Sequence, residues 1–259
     1  MITSAQNAKL KLARSLMGRP KERHAAQAFI AEGVRLVEEA LSAGWPIRYV
    51  LHTAGLSARG LELINKLEAQ GYEVEQVSDG LLNAISETEN SQGLLAVLEH
   101  APLALPQPLD FALIPDSIRD PGNLGTLLRT ASAAGVQAVF LPPETTDAFA
   151  PKVVRAGMGA HFRLPTLSLS WEEIRVATRA LKVYLADMQG APCWQVDFRL
   201  PLALIVGGEA EGATEEAHSL AEMSVSIPMP GKAESLNAGV AGAVLMFEVV
   251  RQRKILTLE

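Results

Sequence analysis

Hydrophobic and polar positions follow two different periods along this chain, and the switches between them mark out its elements. After Ser4 the spacing is helical through Leu16, and Gly33 opens a second helix with Val34, Val37 and Leu41 on one face. Segments at 47–51, 72–78 and 94–99 read as strands, with helices over 57–70 and just after Ser78 between them. Pro102, Pro106 and Pro108 then forbid a regular helix or a central strand across 101–109. Beyond them 111–115 reads as a buried strand, followed by a helix with Leu124, Leu127, Leu128 and Ala131 on one side. Strands at 138–141, 183–187, 202–206 and 224–228 and a helix over 171–181 continue the pattern. A closing helix over 237–254 aligns Val240, Ala243, Val244 and Phe247, with Arg251, Arg253 and Lys254 in its last turns, where cations suit the helix dipole. The alternation predicts an α/β protein in two parts. A small α/β module spans 1–100, residues 101–109 form a proline-rich linker, and 110–259 form a mostly parallel sheet covered by helices.

Composition narrows the possibilities. The 259 residues suffice for a real core, and 48% hydrophobic against 20% charged residues excludes wholesale disorder. The lone Cys193 excludes an internal disulfide framework and a cysteine-rich zinc site. The longest run without polar residues, 238–247, is about half of a membrane span, so no membrane partner is expected. The first residues are polar and basic without an apolar stretch, so no secretory signal is expected and the expected location is the cytoplasm. A net charge of −6 argues against nucleic-acid binding on average. The average misleads, because Lys9, Lys11, Arg14, Arg19, Lys21 and Arg23 face only Glu22 within residues 1–30. That basic segment either docks on a polyanion or is a solvated helix face.

Familiar cofactor motifs fail on spacing. Gly207, Gly208 and Gly212 break the dinucleotide pattern, Phe162 stands where a third glycine is needed after Gly157 and Gly159, and 230–235 lacks the upstream glycine of a phosphate loop. No serine-hydrolase elbow occurs, and the five histidines lack metal-ligand spacing, so no metal is expected. Three glycine- and amide-rich loops remain, each leaving a predicted strand at the edge where open α/β sheets bind ligands. The first, 116–135, brings Asn123 and Gly125 into a helix start, with Arg129 further in. Asn123 is either the helix cap or a site residue, converging with Arg129 only if it lies on the preceding loop. The second, 204–212, runs an apolar strand into Gly207 and Gly208, so backbone or ligand must approach closely there, and Glu209 follows at the tip. The third, 226–248, holds Ser235 and Asn237 at the entrance of the last helix. Gly239 and Gly242 inside that helix cost ~1 kcal/mol each relative to Ala, which suggests close packing against another backbone.

Together, PGNLGTLLRTASAAG, VGGEAEG and IPMPGKAESLNAGVA resemble, in order and spacing, the three signature motifs of the SpoU/TrmH family of RNA ribose 2′-O-methyltransferases, within the SPOUT superfamily. The stretch 152–165 resembles the segment between the first two motifs. Residues 2–16 and 29–41 resemble the ribosomal-protein-like RNA-binding module that precedes the catalytic domain in rRNA-modifying members. One departure is visible: Ala238 and Gly239 follow Asn237 where the family usually has Val and Ser.

The resemblance implies a SPOUT domain with a C-terminal trefoil knot, which the usual rules of chain connection would not suggest. It also implies S-adenosylmethionine as cofactor, a homodimer whose interface includes the last helix, and an RNA substrate, with rRNA favoured over tRNA. Gly207, Ile227, Met229 and Leu236 would meet the cofactor. Arg129, Asn123, Glu209, Ser235 and Asn237 would form the catalytic edge, Arg129 being either base or electrostatic stabiliser. The six cations between Lys9 and Arg23 would meet RNA. The competing reading is a non-catalytic RNA-binding or ribosome-assembly factor on the same fold. That reading predicts eroded cofactor loops, whereas all three stand intact.

Overall fold

Strands followed by helices do recur throughout, but they assemble into two separate sheets. The computed structural model describes residues 1–86, 92–208, 212–231 and 234–254. Its chain divides into two compact units: 1–102 with 149–162, and 103–148 with 163–259. Residues 149–162 thus join the first unit, although the sequence reading places them in the second part.

In the first unit the order is α1 (Ala8–Met17), α2 (Pro20–Ala26), β1 (Ala28–Glu32), α3 (Val34–Ser42), β2 (Ile47–His52), α4 (Ala58–Ala69), β3 (Val74–Gln76), α5 (Asp79–Asn83) and β4 (Leu94–Glu99). Asn7, not Ser4, caps α1, its side chain accepting from the Lys9 N–H at 2.9 Å. The strand order is β1-β4-β2-β3, with β4 antiparallel to both neighbours and β3 parallel to β2. Alternate residues such as Ile30, Leu51 and Val97 pack on Leu10, Ala13 and Leu16 of α1 and on Leu82 of α5. On the opposite side, Phe29 lies 4.9 Å from Phe149, and Trp45 lies 5.3 Å from Phe162, ring centroid to centroid. These aromatic contacts tie 149–162, including the helix over Pro151–Gly157 (α7 in chain order), to the first sheet.

The second unit contains β5 (Phe111–Asp116), α6 (Pro121–Ala134), β6 (Ala138–Leu141), β7 (Thr166–Ser168), α8 (Trp171–Ala177), β8 (Lys182–Pro192), β9 (Leu202–Gly207), α9 (Glu215–Leu220), β10 (Met223–Ser226) and α10 (Ala238–Lys254). Every pairing in the order β10-β8-β9-β5-β6-β7 is parallel. Central β5 and β9 read as unbroken apolar runs because both their faces are buried. α10 packs on α6, and a side chain at Gly242 would overlap Leu127 Cδ2, while one at Gly239 would sit 3.2 Å from Thr126. These glycines therefore admit side chains of α6, which corrects the expected backbone-to-backbone contact. At the far end of α10, buried Glu248 is hydrogen-bonded by Arg251 at 2.7 and 2.8 Å, which holds its carboxyl below the usual carboxylate range. Among the described residues no helix is long and apolar enough to cross a membrane.

Two cations assigned to RNA are used inside the first unit. Arg23 is 2% exposed and donates to the Leu16 and Gly18 carbonyls at 2.8 and 2.9 Å, answering acceptors left open at the end of α1. Lys9 lies 2.6 Å from Glu73 and 2.9 Å from Glu75. Burial alone would lower its pKa, but hydrogen bonds to both carboxylates outweigh that and raise it. Replacing Arg23 by Met should lower stability by about 2–4 kcal/mol, since two bonds from a charged donor are lost and the Leu16 acceptor stays buried. Lys21→Met, at an exposed site on the same helix, should stay within about 0.5 kcal/mol. Urea unfolding checks both, and equal midpoints would contradict this role for Arg23.

Candidate functional site

The first motif begins on a buried acid. β5 ends at Asp116, which is fully buried and accepts from the Thr214 N–H at 2.7 Å and the Thr214 hydroxyl at 3.0 Å. Thr214 caps α9, so a carboxylate at one strand end fixes the loop leaving another. Four residues on, Asp120 caps α6 by accepting from the Asn123 N–H at 2.8 Å, and Pro121 takes the first helical position. Asn123 is therefore neither the cap nor a loop residue; it stands in the first turn of α6. Helix geometry then sets Arg129 about 120° around and about 9 Å along from it. The two do not share a face.

The second motif is held by main-chain contact. A Cβ at Gly207 would lie 2.8 Å from the Ala213 nitrogen, and one at Gly208 would lie 2.6 Å from the Ser117 carbonyl oxygen. The close approach expected of these glycines is thus to backbone. Glu209 lies outside the described residues.

The third motif leaves β10 and enters α10. Asn237 accepts from the Val240 N–H at 3.2 Å, capping α10, and donates to the Asn123 Oδ1 at 2.8 Å, which joins the first and third motifs. Opposite β10, the register on β8 jumps: Ser224 pairs with Leu185 but Val225 pairs with Ala191. On that side residues 186–190 bulge out of the pairing with β10, although Ala186 still pairs with Val206 of β9. Gly190 closes that bulge against β10, where a Cβ would lie 2.6 Å from the Ser224 carbonyl oxygen.

These loops enclose a cavity of about 680 Å³ at the exits of β8, β9 and β10. Gly207, Ile227, Met229, Leu236 and Ser235 line it, as do Val225 and Leu245. Backbone and apolar groups make most of its walls, and its size suits a small organic cofactor. The departure from the family pattern falls here, with Ala238 at the cavity wall and Gly239 against Thr126. Asp187 and His218 also line the cavity, and sequence reasoning gave neither a role. Asp116 was missed as well. A usable signal existed for both acids, since each closes an apolar strand at the ligand-binding edge. Arg129 is exposed, does not line the cavity, and makes no hydrogen bond or ion pair among the described residues. In the first unit Lys11, Arg14, Arg19 and Lys21 are exposed. Among the described residues no group of three or more His, Cys, Asp or Glu is placed to hold a metal ion.

Comparison with known proteins agrees with this geometry. Residues 110–247 match the SpoU rRNA Methylase family, and 7–96 match an MRM3-like substrate binding domain. The chain is 34% identical to the 23S rRNA (guanosine(2553)-2′-O)-methyltransferase RlmP of Bacillus subtilis (strain 168), over 96% of this chain and 98% of that one. It is 30% identical to the 23S rRNA (uridine(2479)-2′-O)-methyltransferase of Streptomyces viridochromogenes, over 96% and 92%. The crystal structure of the SpoU methyltransferase AviRb from Streptomyces viridochromogenes in complex with AdoMet superposes with a TM-score of 0.84 at 30% identity, covering 96% of this chain and 99% of that one. An AdoMet-bound rRNA methyltransferase from Sinorhizobium meliloti gives 0.84 at 32% identity, covering 96% and 97%. Two sheets, three motif loops and a cavity at the strand exits thus belong to a known lineage: this chain is a member of the SpoU rRNA methylase family.

Proposed function

We propose that this chain is an enzyme that transfers the methyl group of S-adenosylmethionine to a ribose 2′-hydroxyl of RNA, and that the RNA is ribosomal. The cavity at the exits of β8, β9 and β10 carries this reading, because all three motifs converge on it or on its rim. The fit rests on its walls: main chain at Gly207, Gly208 and Gly212 and apolar side chains such as Val225, Ile227, Leu236 and Leu245. Relatives named as 23S rRNA 2′-O-methyltransferases support the substrate class.

S-adenosylmethionine, when bound, supplies an electrophilic methyl on a sulfonium. The chain's own residues hold the ribose and relieve the charge that grows on its oxygen. A ribose hydroxyl is a weak nucleophile at neutral pH, so it needs a proton acceptor or stabilisation of a developing alkoxide. Arg129 suits the second task, since a guanidinium keeps its proton and is a poor base. Glu209 is assigned to orient Arg129 or accept the proton. Ser235 and Asn237, the latter held by Asn123, position cofactor and sugar. Lys11, Arg14, Arg19 and Lys21 supply phosphate contacts.

A homodimer through α10 belongs to the same proposal. Val240 and Phe247 are 47% and 48% exposed on one stripe of that helix, an apolar surface that a second copy would cover. The C-terminal trefoil knot and action in the cytoplasm complete it, and no metal is assigned.

The direct test is methyl transfer from labelled S-adenosylmethionine to ribosomal RNA from cells lacking the gene. Digestion should release a 2′-O-methylated nucleoside, and label on a base or none at all would overturn the reading. Arg129→Ala should slow transfer by roughly 100- to 1000-fold, as for loss of one transition-state contact. Arg129→Lys should recover part of the rate. Cofactor affinity by calorimetry should change by no more than about threefold, well under the ~1.4 kcal/mol of a tenfold change. Near-normal turnover, or a matching loss of affinity, would remove Arg129 from this role. Asp116→Ala frees Thr214 and the loop before it, so S-adenosylmethionine affinity should fall about tenfold or more, ~1.4 kcal/mol. Unchanged affinity would show that the carboxylate does not set the cavity.

A further inference from the structure

The first unit holds a second cavity, about 520 Å³, lined mostly by polar side chains. It opens where β1, β2 and β3 run out into α3, α4 and α5, the edge at which parallel strands of α/β units present ligands. Its polar lining divides into groups already engaged and groups that are not. Arg59 is bound to the Glu38 carboxylate, and Gln92 accepts from the Val34 N–H at 2.8 Å. Arg35, Asp79 and Asn83 line the same space without a side-chain hydrogen bond or ion pair among the described residues.

Asp79 and Asn83 stand four residues apart on α5, so their side chains share one face about one helical turn apart. A carboxylate beside a carboxamide, in the same cavity as a guanidinium, is ill-suited to an isolated phosphate, which the carboxylate would repel. It suits a nucleotide. The guanidinium matches a phosphodiester in charge and geometry, and the carboxylate and carboxamide match the hydrogen-bonding edge of an unstacked base. Among the bases, guanine presents two adjacent N–H donors on its Watson–Crick edge, the complement of a carboxylate. The volume lies in the range of sites that enclose one small ligand.

We propose that this cleft grips one unpaired guanosine of the RNA substrate, with Arg35 on its phosphate and Asp79 and Asn83 on its base. The inference rests on the reading of the chain as an RNA methyltransferase and adds where the first unit holds that RNA. It places a base-specific contact at the strand edge, apart from the phosphate contacts of the α1 and α2 cations.

The test uses full-length wild type, Arg35→Ala, Asn83→Ala and Asp79→Asn, with urea midpoints confirming that each variant is folded. Methyl transfer is measured with ribosomal RNA from cells lacking the gene, and cofactor binding by calorimetry. Arg35→Ala and Asn83→Ala should raise KM for RNA about tenfold, leaving kcat and cofactor affinity within about twofold. As competitors, the oligonucleotide UUUGUUU should outdo UUUUUUU by about fivefold with wild type, and Asp79→Asn should abolish the difference. Unchanged KM in the variants, while wild type methylates, would overturn the cleft and leave the enzyme reading standing. Equal competition by the two oligonucleotides would overturn the guanine assignment. Micromolar binding of free GMP with unchanged KM in Arg35→Ala would assign the cleft to a free nucleotide and overturn the proposal. No methyl transfer by wild type would overturn the enzyme reading and this inference together.

Discussion

Main chain pressed against main chain, without side chains between, is the constraint on which the second unit depends. Gly190 lies beneath Ser224 and Val225, Gly207 against Ala213, and Gly208 on the Ser117 carbonyl, at separations that a Cβ would not tolerate. Loops held this way lose little side-chain entropy on folding, and they present backbone groups rather than long side chains to the space they enclose. The cofactor cavity is the space left by these contacts. Asp116 adds a charge-assisted anchor from the neighbouring strand, so the turn after β9 is tied at both ends. Asn123 in the first turn of α6 and Asn237 at the start of α10 join the first and third motifs. Preorganisation of this kind reduces what binding must spend on ordering the site.

Much of the second unit was legible because its chemistry sits in short loops with unusual residues at strand exits. Glycine pairs, amides and prolines at 121–125, 207–212 and 228–237 depart from helix and strand patterns, so they stand out without a structure. What stayed hidden depends on distant partners. Nothing local marks Asp116 as the acceptor for Thr214, 98 residues away. Periodicity also missed the bulge at 186–190 against β10, since a register jump on one strand is visible only against its neighbour. Arg23 looked like a docking cation because charge is read from composition, whereas its burial follows from open carbonyls at the end of α1. β1 went unread because its five residues run directly into the stronger helical signal after Gly33. The seven-residue α2 carries no apolar stripe to reveal it.

The two units divide the work along physical lines. The second builds a cavity of apolar and backbone groups, suited to a small cofactor that is largely buried when bound. The first carries exposed cations on α1 and α2 and a polar cleft at its strand edge, suited to a charged polymer that stays largely hydrated. Residues 149–162 leave the second unit in sequence and pack on Phe29 and Trp45 of the first. The chain therefore crosses between the units at 102–103, 148–149 and 162–163. Cutting it near residue 102 would strip those aromatic contacts from a segment that remains in the other fragment.

If backbone contact shapes the cofactor site, the most direct measurement is calorimetric titration of S-adenosylmethionine into Gly190→Ala, with Gly80→Ala as control. Gly190 does not itself line the cavity, yet its Cβ would press on Ser224 and Val225, ahead of the 225–229 segment that does. Gly80 has nothing within 4 Å of an added Cβ. The account predicts at least about a tenfold loss of affinity in Gly190→Ala, ~1.4 kcal/mol, and wild-type affinity in Gly80→Ala. Wild-type affinity in a folded Gly190→Ala would contradict it.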